Sequence, residues 1–243
     1  MELINTIINE LIDAEKSLSN PLLKTAFLAH KIKNIQLSEW VNSELKGYND
    51  VNTLPSYRKF NGLIRGTYIN GSYKVTDQLI PLSGFDSEIK QQLKQMNIFS
   101  SITTLEELKN KSSNSIITFR FSAEMVGLIE KKLKRNGNPY LQLISCERYI
   151  DGTASNDIIA NVRNSLLQFM LKIDAEFGGL TEIEDLQKNG KEIKQIMSQT
   201  IITTTGDGNV INTGNHVTQH NQISIGVKNK KELSEYLEGI GVA

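Results

Sequence analysis

PLLKTAFLAHKIKNIQLSEWVNSELKGYNDVNTLPSYR, residues 21–58, contains the change of period that decides the fold. It opens as helix. Pro21 suits a first helical position, where its missing N–H costs nothing, and Ser19 or Asn20 before it can cap. Leu22, Leu23, Ala26, Phe27 and Ala29 carry that helix toward Ile35. A further helix begins near Leu37 and takes in Trp40, Val41 and Leu45, with Gly47 placed to end it in a left-handed cap. There the helical period stops. The residue before Pro55 avoids the helical region, so LPSYR is extended or turn-like. Residues 63–69 and 73–75 are rich in strand formers, and Asn70-Gly71 between them predicts a hairpin. Helices followed by a local antiparallel pair give the α+β class, mostly helical with a small hairpin or sheet.

Working outward, the N-terminal MELINTIINELIDAEK places Leu3, Ile4, Ile7, Ile8, Leu11 and Ile12 on one stripe of a helix. Acidic residues near its start, and no cationic stretch before its apolar residues, argue against a signal peptide. Toward the C-terminus, residues 87–95 and 103–109 read as short helices. Ile117, Phe119 and Phe121 alternate with Thr118 and Arg120 as in a strand, and residues 123–133 are helical. Lys131, Lys132, Lys134 and Arg135 crowd the end of that helix, where cations favour its dipole. The longest helix is expected after the turn DGTASND, with Ile158, Ile159, Val162, Leu166, Phe169, Met170, Ile173 and Phe177 on one face and Gly178-Gly179 as its stop. A last domain helix is expected over residues 181–198.

Composition then shifts. From Ser198 to Val227 the single charged side chain is Asp207, and Thr, Asn, Gly and β-branched residues dominate. Thr205-Gly206 recurs as Thr213-Gly214. Short extended pieces with Gly at corners and Asn able to ladder with its own copy predict a β-solenoid-like assembly segment over 200–228. Its apolar positions include Ile201, Val210, Ile211, Val217, Ile223 and Ile225, with Asn212 among the ladder candidates. Residues 229–243 predict an amphipathic helix through Leu233, Leu237 and Ile240, too short to stand alone in water. The expected organisation is therefore 1–178, a connecting helix 179–199, the β segment 200–228 and the terminal helix 229–243.

The 243 residues carry 27 basic and 27 acidic side chains. Zero net charge removes the long-range attraction on which non-specific nucleic-acid binding relies, so nucleic acid is not expected as the ligand. No apolar run is long enough to span a membrane. The lone Cys146 leaves no intrachain disulfide, fits a cytoplasmic protein, and reads as a small buried hydrophobe. Catalytic motifs are missing. GDGN lacks the lysine and following helix of a phosphate loop, no GxSxG elbow exists, and His216 and His220 lie in a strand-like segment with no further ligand nearby. No metal and no cofactor is expected.

The words LLKT with LAHKI, then EWVNSELKGY, then LPSYR, then IRG before the hairpin, together resemble the signature of the AbiTii domain, an abortive-infection domain of bacterial antiphage defence proteins. RNSLLQFMLKID, opening at Arg163, resembles the helix that closes that domain. The resemblance spans residues 1–178, and the Gly/Asn/Thr-rich segment and short helix after it also fit the family. It implies a cytoplasmic protein that arrests or kills the infected cell, and it carries no catalytic residues with it. Among signature positions, Trp40, Gly47 and Pro55 are explained by packing and turn geometry. Glu44, Tyr57 and Arg58, with His30, are the candidates for a surface site. The first reading is a non-enzymatic sensor, effector or adaptor working through homo-oligomerisation, with a phage protein or a second defence protein as candidate partners. The alternative is a nuclease or other hydrolase whose site forms only on assembly.

Overall fold

A computed structural model describes residues 2–111, 116–135, 137–180 and 183–202. Three helices open the chain: α1 (Glu2–Ile12), α2 (Ser19–Lys31) and α3 (Ile35–Lys46). The first buries Ile4, Ile7, Ile8 and Leu11 at the expected spacing. The second helix stops earlier than its apolar residues suggest. Lys33 takes a positive φ of 54°, and Asn34 caps α3 by accepting a hydrogen bond from the Leu37 amide at 3.0 Å. A single 3₁₀ turn (Ser56–Arg58) leads into β1 (Lys59–Asn61). There follow β2 (Leu63–Asn70), β3 (Tyr73–Leu79), α4 (Ser87–Lys94), β4 (Gln95–Asn97), α5 (Ile102–Lys111), β5 (Ile116–Arg120), α6 (Ala123–Arg135), β6 (Leu141–Asp151), α7 (Thr153–Phe177), α8 (Ile183–Lys188) and α9 (Gly190–Met197). A π-helical turn (Ser198–Ile202) closes the described chain.

The strands form a four-stranded antiparallel sheet in the order β3-β2-β6-β5 and a separate pair, β1 with β4. The hairpin forms, with Asn70 paired to Tyr73 so that Gly71-Ser72 is the loop and Gly71 takes φ +61°. The central β6 was not expected from the sequence. Leu141 and Leu143 point inward, but so does Cys146, because the register on β2 slips at Thr67/Tyr68 and leaves Ile144 as an extra residue. Opposite, β3 bulges at the same level of β2, where Asp77 takes φ +54°. The inward face thus changes from odd to even positions midway along β6, which erases its alternation.

The described residues form two hydrophobic cores. The larger lies among α1, α2, α3, α5, α7, α8, α9 and the π turn, with Ile158, Val162, Leu166, Phe169 and Met170 of α7 fully enclosed. α7 starts at Thr153, so most of DGTASND is helix rather than turn: Ala154 and Ser155 are already buried in it. The smaller core is sealed between the sheet and α6 by Ile64, Leu143, Cys146, Ile129 and Leu133. Burial there pushes the Cys146 thiol up to about 12, in keeping with an inert packing residue. The larger core continues beyond residue 178. Leu186, Ile193, Ile196 and Met197 belong to it, and Asn189-Gly190 divides the expected final helix in two. Ile201, read from the sequence as the start of the β segment, lies instead in the π turn and is 1% exposed. The π turn packs on α7 and α9, and the burial of Ile201 there removes an apolar side chain from water. The rest of the 200–228 segment from residue 203 on, and the terminal helix, lie outside the described residues.

Candidate functional site

Helix α3 carries Leu37, Trp40, Val41 and then Glu44 down one buried face. Three apolar residues on a stripe therefore lead to a carboxylate with no contact with water. Gly47 ends the helix at φ +89°, ψ 167°, a backbone region open essentially to glycine alone. This is an extended exit rather than the left-handed cap the sequence suggested. A Cβ on Gly47 would also stand 2.7 Å from the Phe99 carbonyl oxygen. The exit lets the Tyr48 amide donate to that same carbonyl at 2.8 Å. Pro55 and the 3₁₀ turn then bring the chain back, with Tyr57 and Arg58 beside α3.

Both Tyr48 and Tyr57 donate their hydroxyl protons to Glu44 Oε1 at 2.6 Å. Trp40 Nε1 donates to the Tyr57 hydroxyl at 3.1 Å. Arg58 Nη2 pairs with Glu44 Oε2, and Arg58 Nη1 donates to the carbonyls of Ile98 at 3.2 Å and Ser100 at 2.8 Å. The guanidinium also lies 4.9 Å from the centre of the Tyr48 ring. Neither Glu44 nor Arg58 exposes any side-chain surface. Burial works against the Arg58 charge, yet Glu44 outweighs it and the guanidinium is held above its usual range. Burial, and then the Glu44 charge, raise both tyrosines well above theirs. The cluster thus sets the Arg58 guanidinium and two hydroxyl donors around one carboxyl group, with polar atoms spent on each other. Its chemistry is that of a positioning frame.

In front of this frame lies a cleft of about 470 Å³. Gln36, Glu39, Trp40 and Ser43 supply one side from α3; Tyr48, Asn49, Thr53 and Pro55 come from the following loop; Met197 and Ile201 come from α9 and the π turn.

A sequence model of the AbiTii family, an abortive-infection domain, matches residues 2–199. The chain belongs to the AbiTii family. No curated protein and no solved structure matches it. The AbiTii match runs from α1 through α9, so the domain so defined includes α8 and α9 along with the larger core.

The signature residues of this AbiTii domain divide by burial. Glu44, Tyr57 and Arg58 are brought together, but inside: Glu44 and Arg58 are fully enclosed, so the expected surface site is an interior one. An unpaired charge would not stay there, and mutual pairing is what makes burial tolerable. His30 is exposed near the end of α2 and stands outside the cluster. Trp40 and Tyr48 are the members that sequence reasoning placed elsewhere or passed over. A readable signal existed: Glu44 continues the Leu37–Trp40–Val41 stripe, and a carboxylate on an apolar stripe calls for a buried cation. Val210, Ile211, Asn212, Val217, Ile223, Ile225, Leu233 and Leu237, with His216 and His220, lie outside the described residues. Among the described residues no group of three or more His, Cys, Asp or Glu is placed to hold a metal ion, and no helix is long and apolar enough to cross a membrane.

Proposed function

We propose that this AbiTii protein acts in antiphage abortive infection, in the cytoplasm, as a sensor, effector or adaptor that works by self-association and without chemistry of its own. The observation that carries this reading is the closed Glu44–Arg58–Tyr48–Tyr57–Trp40 cluster. The polar residues that mark the family are consumed in holding the domain's shape, which is what a scaffold needs. Residues 203–227 supply the second part of the reading: a nearly uncharged run that carries Val, Ile and repeated Asn suits pairing with identical copies. Ile201 is not available for that role, since it fills the domain core.

The test uses the full chain. Ile211→Asp combined with Val217→Asp is expected to reduce the mass measured by light scattering to that of the monomer, to abolish protection in a phage plating assay, and to leave the thermal midpoint of the domain unchanged. An unaltered mass would overturn the assembly reading. Turnover of RNA, DNA or a nucleotide by the assembled wild type, lost in the same variant, would establish the alternative of a hydrolase with a composite site. A truncation that spares the domain falls after Thr205, because a cut before Thr200 would remove the buried Thr200 and Ile201.

A further inference from the structure

The cleft in front of the buried cluster has the attributes of a ligand site, and we propose that it binds a purine nucleoside or free purine base through the edge of the ring. The volume of about 470 Å³ lies in the range of small-molecule pockets. Its aromatic wall is pre-formed. Trp40 and Tyr48 both line the cleft, and both are pinned by their polar ends: Trp40 directs Nε1 to Tyr57, and Tyr48 directs its hydroxyl to Glu44 and sets its ring against the Arg58 guanidinium. A rigid aromatic wall favours a flat partner, because no rotamer freedom is lost on binding.

Around the rings stand groups suited to the edge of a heterocycle. Gln36, Glu39 and Ser43 follow one another at helical spacing along α3, with Asn49 across from them in sequence beyond Gly47. Among the described residues, the side chains of Gln36, Glu39 and Asn49 have no hydrogen-bond or ion-pair partner. Glu39 is, among the described residues, the only charged one lining the cleft. A carboxylate accepts two parallel N–H donors, which is the pattern on the edge of guanine, and it repels phosphate. The cleft thereby selects a nucleoside or base over the corresponding nucleotide. The proposal rests on the cleft alone and not on self-assembly, so its failure would leave the assembly test standing.

Trp40 is the only tryptophan in the chain, so its emission reports on this site and no other. The experiment titrates guanosine into the full-length protein, followed by Trp40 fluorescence and by calorimetry. A saturable change at one site per chain is expected, at least about tenfold weaker for GTP and for Glu39→Gln, which sits on an exposed helix face and should fold normally. No saturable signal with guanosine would overturn the proposal, as would GTP binding as tightly as guanosine, or Glu39→Gln binding as tightly as the wild type. A folded Glu39→Gln protein is confirmed by an unchanged thermal midpoint.

Discussion

Arg58 Nη2 and Glu44 Oε2 form an ion pair between side chains fourteen residues apart, and neither side chain has any exposure to solvent. Desolvation makes such a pair an uncertain source of net stability, but it makes either partner alone very costly. Glu44→Gln is expected to lower stability by about 3–5 kcal/mol, because it strands the guanidinium. Replacing both, with Glu44→Gln and Arg58→Met, is expected to recover a large part of that loss. Urea unfolding of the three proteins measures this. A single-variant cost below about 1 kcal/mol would mean that water reaches Arg58.

The two tyrosines on Glu44 give the domain an alkaline limit. Their pKa values lie above the ordinary value of 10.0 in the folded protein, so the unfolded chain releases these protons first as pH rises. The stability they confer is fully present below about pH 10 and is lost above it, at up to about 1.4 kcal/mol per pH unit for each tyrosine. Denaturant midpoints measured from pH 8 upward should fall beyond pH 10, and Tyr57→Phe should reduce the slope.

Gly47→Ala tests the exit from α3. The φ of +89° and the approach of a Cβ to the Phe99 carbonyl at 2.7 Å act in the same direction. A loss of at least about 1–3 kcal/mol is expected from the backbone alone, read as a lowered thermal midpoint, together with a change in Trp40 emission as Tyr48 shifts.

Arg163 clasps the start of the chain. Its Nη1 donates to the carbonyls of Leu11 at 3.2 Å and Asp13 at 2.8 Å, and its Nη2 to those of Ala14 at 3.3 Å and Lys16 at 2.5 Å. These include carbonyls left without partners where α1 ends. Arg163→Ala should cost about 1.5–3 kcal/mol. Arg163→Lys should recover only part of it, since an ammonium cannot span four acceptors with a planar fork. Hydrogen exchange over residues 13–18 should quicken in both.

Periodicity made α1, α3 and α6 legible, because each buries one face in a regular pattern, and Asn70-Gly71 marked the β2–β3 hairpin even though β3 is largely exposed. It failed at β6, where Ile144 bulges out and the inward side changes parity between Leu143 and Cys146. It failed again at α8 and α9, where Asn189 breaks a continuous apolar stripe. At the site, the words containing Glu44, Tyr57 and Arg58 stood out, but their burial did not, since the pairing of Glu44 with Arg58 spans a loop whose path is set by Gly47 and by the Phe99 carbonyl. Polar residue types read as surface until the tertiary partner is known.

The clasp by Arg163 also orders events in time. Residues 11–16 find their hydrogen-bond partner roughly 150 positions later, α1 packs on α7, and β2 gains its central neighbour only when β6 exists. On the ribosome, the side of α1 that meets α7 therefore waits uncovered, with α2 its early neighbour, until nearly the whole domain has been made. The domain is finished in one late step, and a chain stopped before α7 lacks the helix that supplies Ile158, Val162, Leu166, Phe169 and Met170 to its larger core.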